Sequence, residues 1–241
     1  MSERSEIQFG MTRIPFLIRR SSKRATVALT IDDEKLVVTA PADTTIDRLN
    51  AVVRHKAPWV VQRIRDAAEL PPPVSEREFV TGETVRYLGR QHRLKVVEAD
   101  DDWPRIKGGW YHVPVAPGLD EHQQRVEVRR RLLGSLKEHA DLYLPDRLAE
   151  VCRRLRIDKP SIIVREQRRR WGSCDPTGTL RINWRIVQAP IPLIEYVLVH
   201  ELAHIEHRDH GPAFWSQVGS WLPDYEERRR RLRLLGPSLE W

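Results

Sequence analysis

The sequence predicts an α+β fold: a β-rich N-terminal part, then a helical part carrying a small sheet. Three observations lead there. Strand-type and helix-type runs come in blocks and do not alternate, which argues against regular βαβ units. Pro71-Pro72-Pro73 breaks the chain after the first block. Four of the nine histidines fall within residues 200–210, in an apolar segment with helical spacing.

Taken in order, residues 1–12 read as a polar tail. Residues 14–19, 26–31 and 36–39 are short β-type runs, with Ser21-Ser22-Lys23 and Asp32-Asp33 where turns belong. Residues 45–70 read as helix from Leu49, Val52 and Val53, capped by Asp43 or Thr44 and kinked or split at Pro58. Residues 79–97 return to β, turning at Gly89-Arg90, and residues 103–115 add a hairpin around Gly108-Gly109. A long helix spans 119–156, interrupted at Pro145. Residues 161–165 and 179–183 are short strands. Helices follow at 191–207, 213–221 and 225–235, the last two separated by Pro223. The chain divides accordingly into a tail (1–12), a β-rich region with one helical segment (13–118) and a helical region with a small sheet (119–241).

Composition bounds the function. In 241 residues, 40% hydrophobic and 31% charged residues permit a packed core and exclude wholesale disorder. No internal repeat or low-complexity tract stands out. The net charge of +7 comes largely from arginines at 129–131, 153–154, 168–170 and 228–231. Such clusters attract anions such as phosphates or nucleic acid, or form solvated helix faces interleaved with Glu. Two cysteines, Cys152 and Cys174, make no disulfide framework and suit a reducing compartment. Arg13, Arg19 and Arg20 break up any apolar leader segment, and no stretch approaches the ~20 apolar residues of a membrane span. A cytoplasmic protein without a membrane partner is expected.

The chemistry concentrates in His200-Glu201-Leu202-Ala203-His204, an H-E-x-x-H pattern. Four residues apart on a helix, the two imidazoles lie on one face and can converge on one ion. Glu201 is rotated ~100° from His200, so it flanks the ion and can take a proton from bound water. The neighbours Ile194, Tyr196 to Val199, Leu202 and Ala203 make the helix a buried one, where polar groups need a compensating partner and a metal supplies it. His207 and His210 compete as third ligand. On a continuing helix His207 stands ~10.5 Å along the axis from His200. A chain that turns back before Gly211-Pro212 presents His210 instead, with His207 to Asp209 in the turn, where His and Asp tolerate left-handed backbone. His210 is therefore preferred. The spacing 200, 204, 210 matches H-E-x-x-H-x-x-G-x-x-H, with His207 replacing the glycine. Zn2+ suits three imidazoles with a fourth position left for water.

Arg170-Trp171-Gly172-Ser173-Cys174, Leu180 to Arg185, Ala189-Pro190, Tyr196 to His204, His210 and Phe214-Trp215 together resemble the YgjP-like metallopeptidase-domain family. The resemblance is densest over residues 165–220 and looser elsewhere. It implies a zincin-like core, His200, His204 and His210 as ligands, Glu201 as base, and hydrolysis of a peptide or of a nucleotide, UTP being cleaved to release pyrophosphate by a bacterial relative. Arg168 and Arg170, just before the strand that would border the cleft, are candidates to bind substrate, since guanidinium clamps phosphate or carboxylate; local ion pairing is the other reading. Trp171, Asn183, Trp184 and Trp215 read as packing and strand-ordering residues, and Cys174 as buried and structural. Three functions follow: a zinc peptidase, a nucleoside triphosphate (UTP) pyrophosphatase using the same site, and a nucleic-acid-binding module with a structural metal. An intact Glu201 argues against the last.

Overall fold

A computed structural model describes residues 3–32, 35–68, 77–99, 103–167 and 170–239. The chain forms two compact units, Met1–Pro72 and Pro73–Trp241. The α+β class holds. The units divide at the Pro71-Pro72-Pro73 break, and residues 77–115 fall in the second, where their sheet buries its apolar face on the long helix that follows.

In the first unit, β1 (Glu3–Phe9), β2 (Thr12–Ser21), β3 (Ala28–Asp32) and β4 (Lys35–Pro41) form one sheet in the order β1-β2-β4-β3. Residues 3–9, expected as tail, pair antiparallel with β2 in full register from Glu3↔Ile18 to Phe9↔Thr12. Polar residues on the outer face hid a strand whose Ile7 points into the core. Ile14, Phe16 and Ile18 alternate inward along β2. They pack with Leu36, Val38 and Ala40 of β4 against Leu49 and Val53 of α1 (Ile46–His55) and Ala57 and Val60 of α2 (Ala57–Ala68). The helix caps on Thr45, not on Asp43 or Thr44, with its hydroxyl accepting from the Arg48 N–H. Pro58 splits the helical segment as expected: it is the second residue of α2, where its missing N–H costs nothing.

In the second unit, β5 (Thr84–Tyr87), β6 (Arg90–Glu98), β7 (Arg105–Lys107) and β8 (Trp110–Val115) form a sheet in the order β5-β6-β8-β7. This repeats the first sheet's plan: first and second strands antiparallel, second and fourth parallel, third and fourth antiparallel. A helix follows each. The repeat escaped sequence inspection because it is one of topology; its clearest echo in residues is Ala40-Pro41 and Ala116-Pro117, just before the helix caps Thr45 and Asp120.

Val85, Leu94, Tyr111, Val113 and Val115 of this sheet share a core with α3 (Glu121–Leu155). Asp120 and Gln123 close a capping box at its start, and Arg156 ends it in the left-handed conformation. Pro145 does not interrupt α3. An interior proline costs ~3 kcal/mol. Ala140, Leu144, Leu148 and Val151, fully buried on both sides of it, each recover on the order of 1–3 kcal/mol. A second, three-stranded sheet has the order β10-β11-β9, from β9 (Ile162–Arg165), β10 (Gly172–Cys174) and β11 (Leu180–Asn183). A 3₁₀ turn (Trp184–Gln188) leads to α4 (Ile191–Ala203), and α5 (Pro212–Trp221) and α6 (Tyr225–Leu235) complete the unit.

Two contacts hold α4. Glu195, buried, accepts from Arg147 and Arg154 of α3 and from Arg228 of α6. At its N-terminal end the β5–β6 turn docks on the chain entering the helix: Leu88 N–H donates to the Val187 carbonyl (2.7 Å) and Gly89 N–H to that of Gln188 (3.3 Å). A Cβ on Gly89 would lie 2.7 Å from Pro190 Cα, and its φ of +78° suits glycine alone. Among the described residues no helix is long and apolar enough to cross a membrane.

Candidate metal centre

α4 is apolar on nearly every side, with Leu193 to Val199, Leu202 and Ala203 buried, and it ends earlier than its pattern predicts. His204 is the C-cap rather than a helical residue, and His207 N–H donates back to the Ala203 carbonyl (2.9 Å). The chain then reverses to Gly211, whose N–H donates to the Asp209 carboxylate (3.0 Å), and α5 begins at Pro212. No left-handed residue is needed in this turn, contrary to expectation: the non-glycine positive-φ residues described are Phe79, Leu88 and Arg156.

The reversal brings His210 over the helix face that carries His200 and His204. One ring nitrogen from each of the three lies within 4.8 Å of the others. His207 stays out of the cluster but orients it: its main-chain carbonyl accepts from His204 Nδ1 (2.9 Å), which fixes that tautomer and leaves Nε2 with a lone pair. Buried Phe214 backs all three rings, with centroids at 4.9, 4.6 and 4.7 Å from His200, His204 and His210.

These residues fit a metal. The Nε2 atoms of His200 and His210 face each other at 3.0 Å, and two lone pairs so close repel unless a cation or a proton lies between them. Tetrahedral zinc with bonds of ~2.0–2.1 Å would hold nitrogens about 3.3 Å apart, so the His200–His210 pair needs little adjustment, and His204, its nitrogen within 4.8 Å of theirs, would draw in on the ion. Burial, then the neighbouring histidines, hold His200 down at about 3, so its ring is neutral and ready to ligate. His210 is lowered for the same reasons.

Glu201 points off this face. It is 5% exposed, and its carboxylate makes no hydrogen bond or ion pair with a described residue. Burial pushes it up to about 7, against the pull of Arg170. It packs on the backbone of β10 where only glycine fits: a Cβ on Gly172 would sit 2.7 Å from Glu201 Cγ and Oε1.

A cleft of about 570 Å³ opens over this arrangement, lined by β10, α4 and α6. The β10 edge facing it is unpaired. Asn183 N–H donates to Trp171 O and Asp175 N–H to Thr179 O, which makes Ser173 a hydrogen-bonded partner of Arg181. The alternation of an antiparallel ladder then turns the N–H and C=O of Gly172 and Cys174 away from β11. Arg170 lines the cleft, exposed. Arg168 lies outside the described residues. Cys174, expected to be buried, is half-buried and lines the cleft, burial raising its thiol pKa. Asn183 orders the strand as expected, donating to Gln167 O and Arg170 O. Sequence reasoning missed Gly172, Tyr196, Arg208, Arg229 and Arg233 as cleft residues. Gly172 lay within the family motif; Arg229 was one of four consecutive arginines that spacing alone does not distinguish.

The YgjP-like metallopeptidase-domain model matches residues 25–234. The chain belongs to that family. A metallopeptidase domain is a metal-dependent hydrolase domain, and that is its class. Among solved structures, it is similar to the metallopeptidase zymogen abylysin of Pyrococcus abyssi, at 22% identity over 37% of this chain and 90% of that one, with a TM-score of 0.34. Jannalysin of Methanocaldococcus jannaschii, also a metallopeptidase zymogen, gives 22% identity over 39% and 94%, with a TM-score of 0.33. No curated protein matches the chain.

Proposed function

We propose that this protein is a zinc peptidase in which His200, His204 and His210 hold the ion and Glu201 is the general base. The observation that carries the reading is the buried carboxylate of Glu201, without a partner among the described residues, on the same short helix as two of three converging imidazoles. Zinc bound by these three histidines would supply a Lewis acid for the carbonyl and a water with a pKa of about 7. Glu201 accepts the proton of the attacking water and returns it to the departing amine. Gly172 keeps that carboxylate at the cleft wall, and the His207 carbonyl keeps His204 in the ligating tautomer.

The open edge of β10 favours a peptide substrate. The outward N–H and C=O groups of Gly172 and Cys174 can pair with an extended chain, as in strand addition. A specific observation also favours a second reading, nucleoside triphosphate pyrophosphatase: arginines outnumber carboxylates around the cleft. In either case Arg170, and Arg168 beside it in sequence, are proposed to contact substrate.

Hydrolysis of casein and pyrophosphate release from nucleoside triphosphates, measured side by side for wild type and Glu201→Gln, tests this. The expected result is casein cleavage by wild type that is lost in the variant while zinc stays bound. Pyrophosphate release without peptide cleavage would replace the first reading with the second. Unchanged activity in Glu201→Gln would remove Glu201 as base.

A further inference from the structure

The four consecutive arginines of α6 are not equivalent. Arg228 pairs with Glu195 and Asp224, and Arg230 with Glu227. Arg229, between them, lines the cleft and has no carboxylate partner among the described residues. Its guanidinium carbon lies 4.8 Å from the ring centre of Trp215. Trp215 is itself stacked on Tyr225 (5.4 Å, 16°) and stands 5.9 and 5.7 Å from the rings of His200 and His210. The cation is thus held by a fixed indole, one ring from the histidine cluster. A guanidinium held over an aromatic face keeps its N–H edge available for a bidentate oxyanion.

The rest of the wall points the same way. Arg208 donates to the main-chain carbonyls of Asp175 and Pro176, which fixes it without neutralising it. Arg170 has no ion-pair partner among the described residues. The one carboxylate among the cleft residues is Glu201. Arg170, Arg208 and Arg229 are all exposed at the cleft, so their charge is presented to an anion that enters it.

We propose that Arg229 on its Trp215 platform is a carboxylate-binding subsite, so that the peptide cleaved carries an acidic side chain or its own terminal carboxylate close to the scissile bond. This rests on the peptidase reading for the nature of the ligand, but the subsite can be tested without turnover. Dansyl-labelled hexapeptides, uncharged apart from one central Glu, Gln or Lys and all C-terminally amidated, are titrated into zinc-loaded full-length Glu201→Gln protein, with fluorescence anisotropy as readout. A fourth peptide, with uncharged side chains, keeps its free C-terminal carboxylate.

A charge-assisted contact to an exposed guanidinium predicts that the Glu peptide binds roughly two- to tenfold tighter than the Gln peptide. Adding Arg229→Gln should erase that ratio, and Arg229→Glu should transfer the preference to the Lys peptide, an outcome a misfolded variant does not give. The same Arg229-dependent advantage in the free C-terminus peptide identifies the chain terminus as the source of the carboxylate. An acidic preference that survives Arg229→Gln, or its absence from the start, overturns the subsite. So does Arg229-dependent binding of UTP with none of any carboxylate. Hydrolysis assays on the wild-type background separate the two ideas: peptide cleavage without charge preference removes the subsite alone, whereas Arg229-dependent binding with no cleavage removes the peptidase reading alone.

Discussion

Glu195 and Glu201 stand six residues apart on α4, and both are buried, 6% and 5% exposed. Their surroundings are opposite. Glu195 meets three guanidinium groups, which overcome the upward push of burial and hold its carboxyl below its ordinary value. Glu201 meets the backbone of β10 at Gly172, and burial takes it up to about 7 against the pull of Arg170 alone. A buried carboxylate is therefore not a functional sign in itself; one that the fold leaves unpaired is. Glu195 secures the helix that Glu201 uses.

The separation can be broken most directly at Glu201. Glu201→Gln should lower hydrolysis by about 10²–10⁴-fold while leaving the urea midpoint unchanged or higher, since no described interaction is lost. A drop in stability comparable to that of a Glu195 variant would mean that Glu201 too is structural.

Next in size, Gly172→Ala forces the Glu201 carboxylate from its seat. A displacement of about 1 Å costs on the order of 10² in rate. Steady-state kinetics should show that loss while the zinc content, measured by mass spectrometry, remains at wild-type level.

Glu195→Gln should show the reverse profile: about 1–3 kcal/mol less stable in urea at neutral pH, with activity per folded molecule near wild type. Because the folded-state pKa is depressed, the stabilisation is complete above the ordinary 4.5 and is lost as pH falls through the folded value. The gap between wild type and variant should therefore close on acidification. A gap that widened would reverse the assigned role of the three arginines.

The smallest effect is expected within that trio. Arg154 is 49% exposed at its side chain, against 16% for Arg228. Arg154→Ala should cost about 0.2–1 kcal/mol in a denaturant titration, and less than Arg228→Ala.

How much of this the sequence carries depends on the range of the interaction. Residues 200 and 204 share a face by helical geometry alone, and the Gly211-Pro212 signal forced the turn that delivers His210. The start of α2 follows from Pro58 in the same way. Pro145 misled because the local penalty is outweighed by packing against a sheet and helix distant in sequence. β10 has three residues, two of them small, and leaves no periodic trace, yet it supplies both the seat for Glu201 and the open edge. Arg229 differs from Arg228 and Arg230 only by the direction it takes from α6, which depends on where that helix packs.

The turn at Leu88-Gly89 has a practical consequence for engineering. Hairpin tips are ordinarily the first choice for splicing in a tag, inserting a reporter or opening new termini by circular permutation. Here the tip is hydrogen-bonded to the chain entering α4, and its glycine lies against Pro190 with no room for a methyl group. Foreign sequence there would lever directly on the helix that carries His200. The β7–β8 turn, whose Gly108 and Gly109 have open space around them, is the better site for a graft.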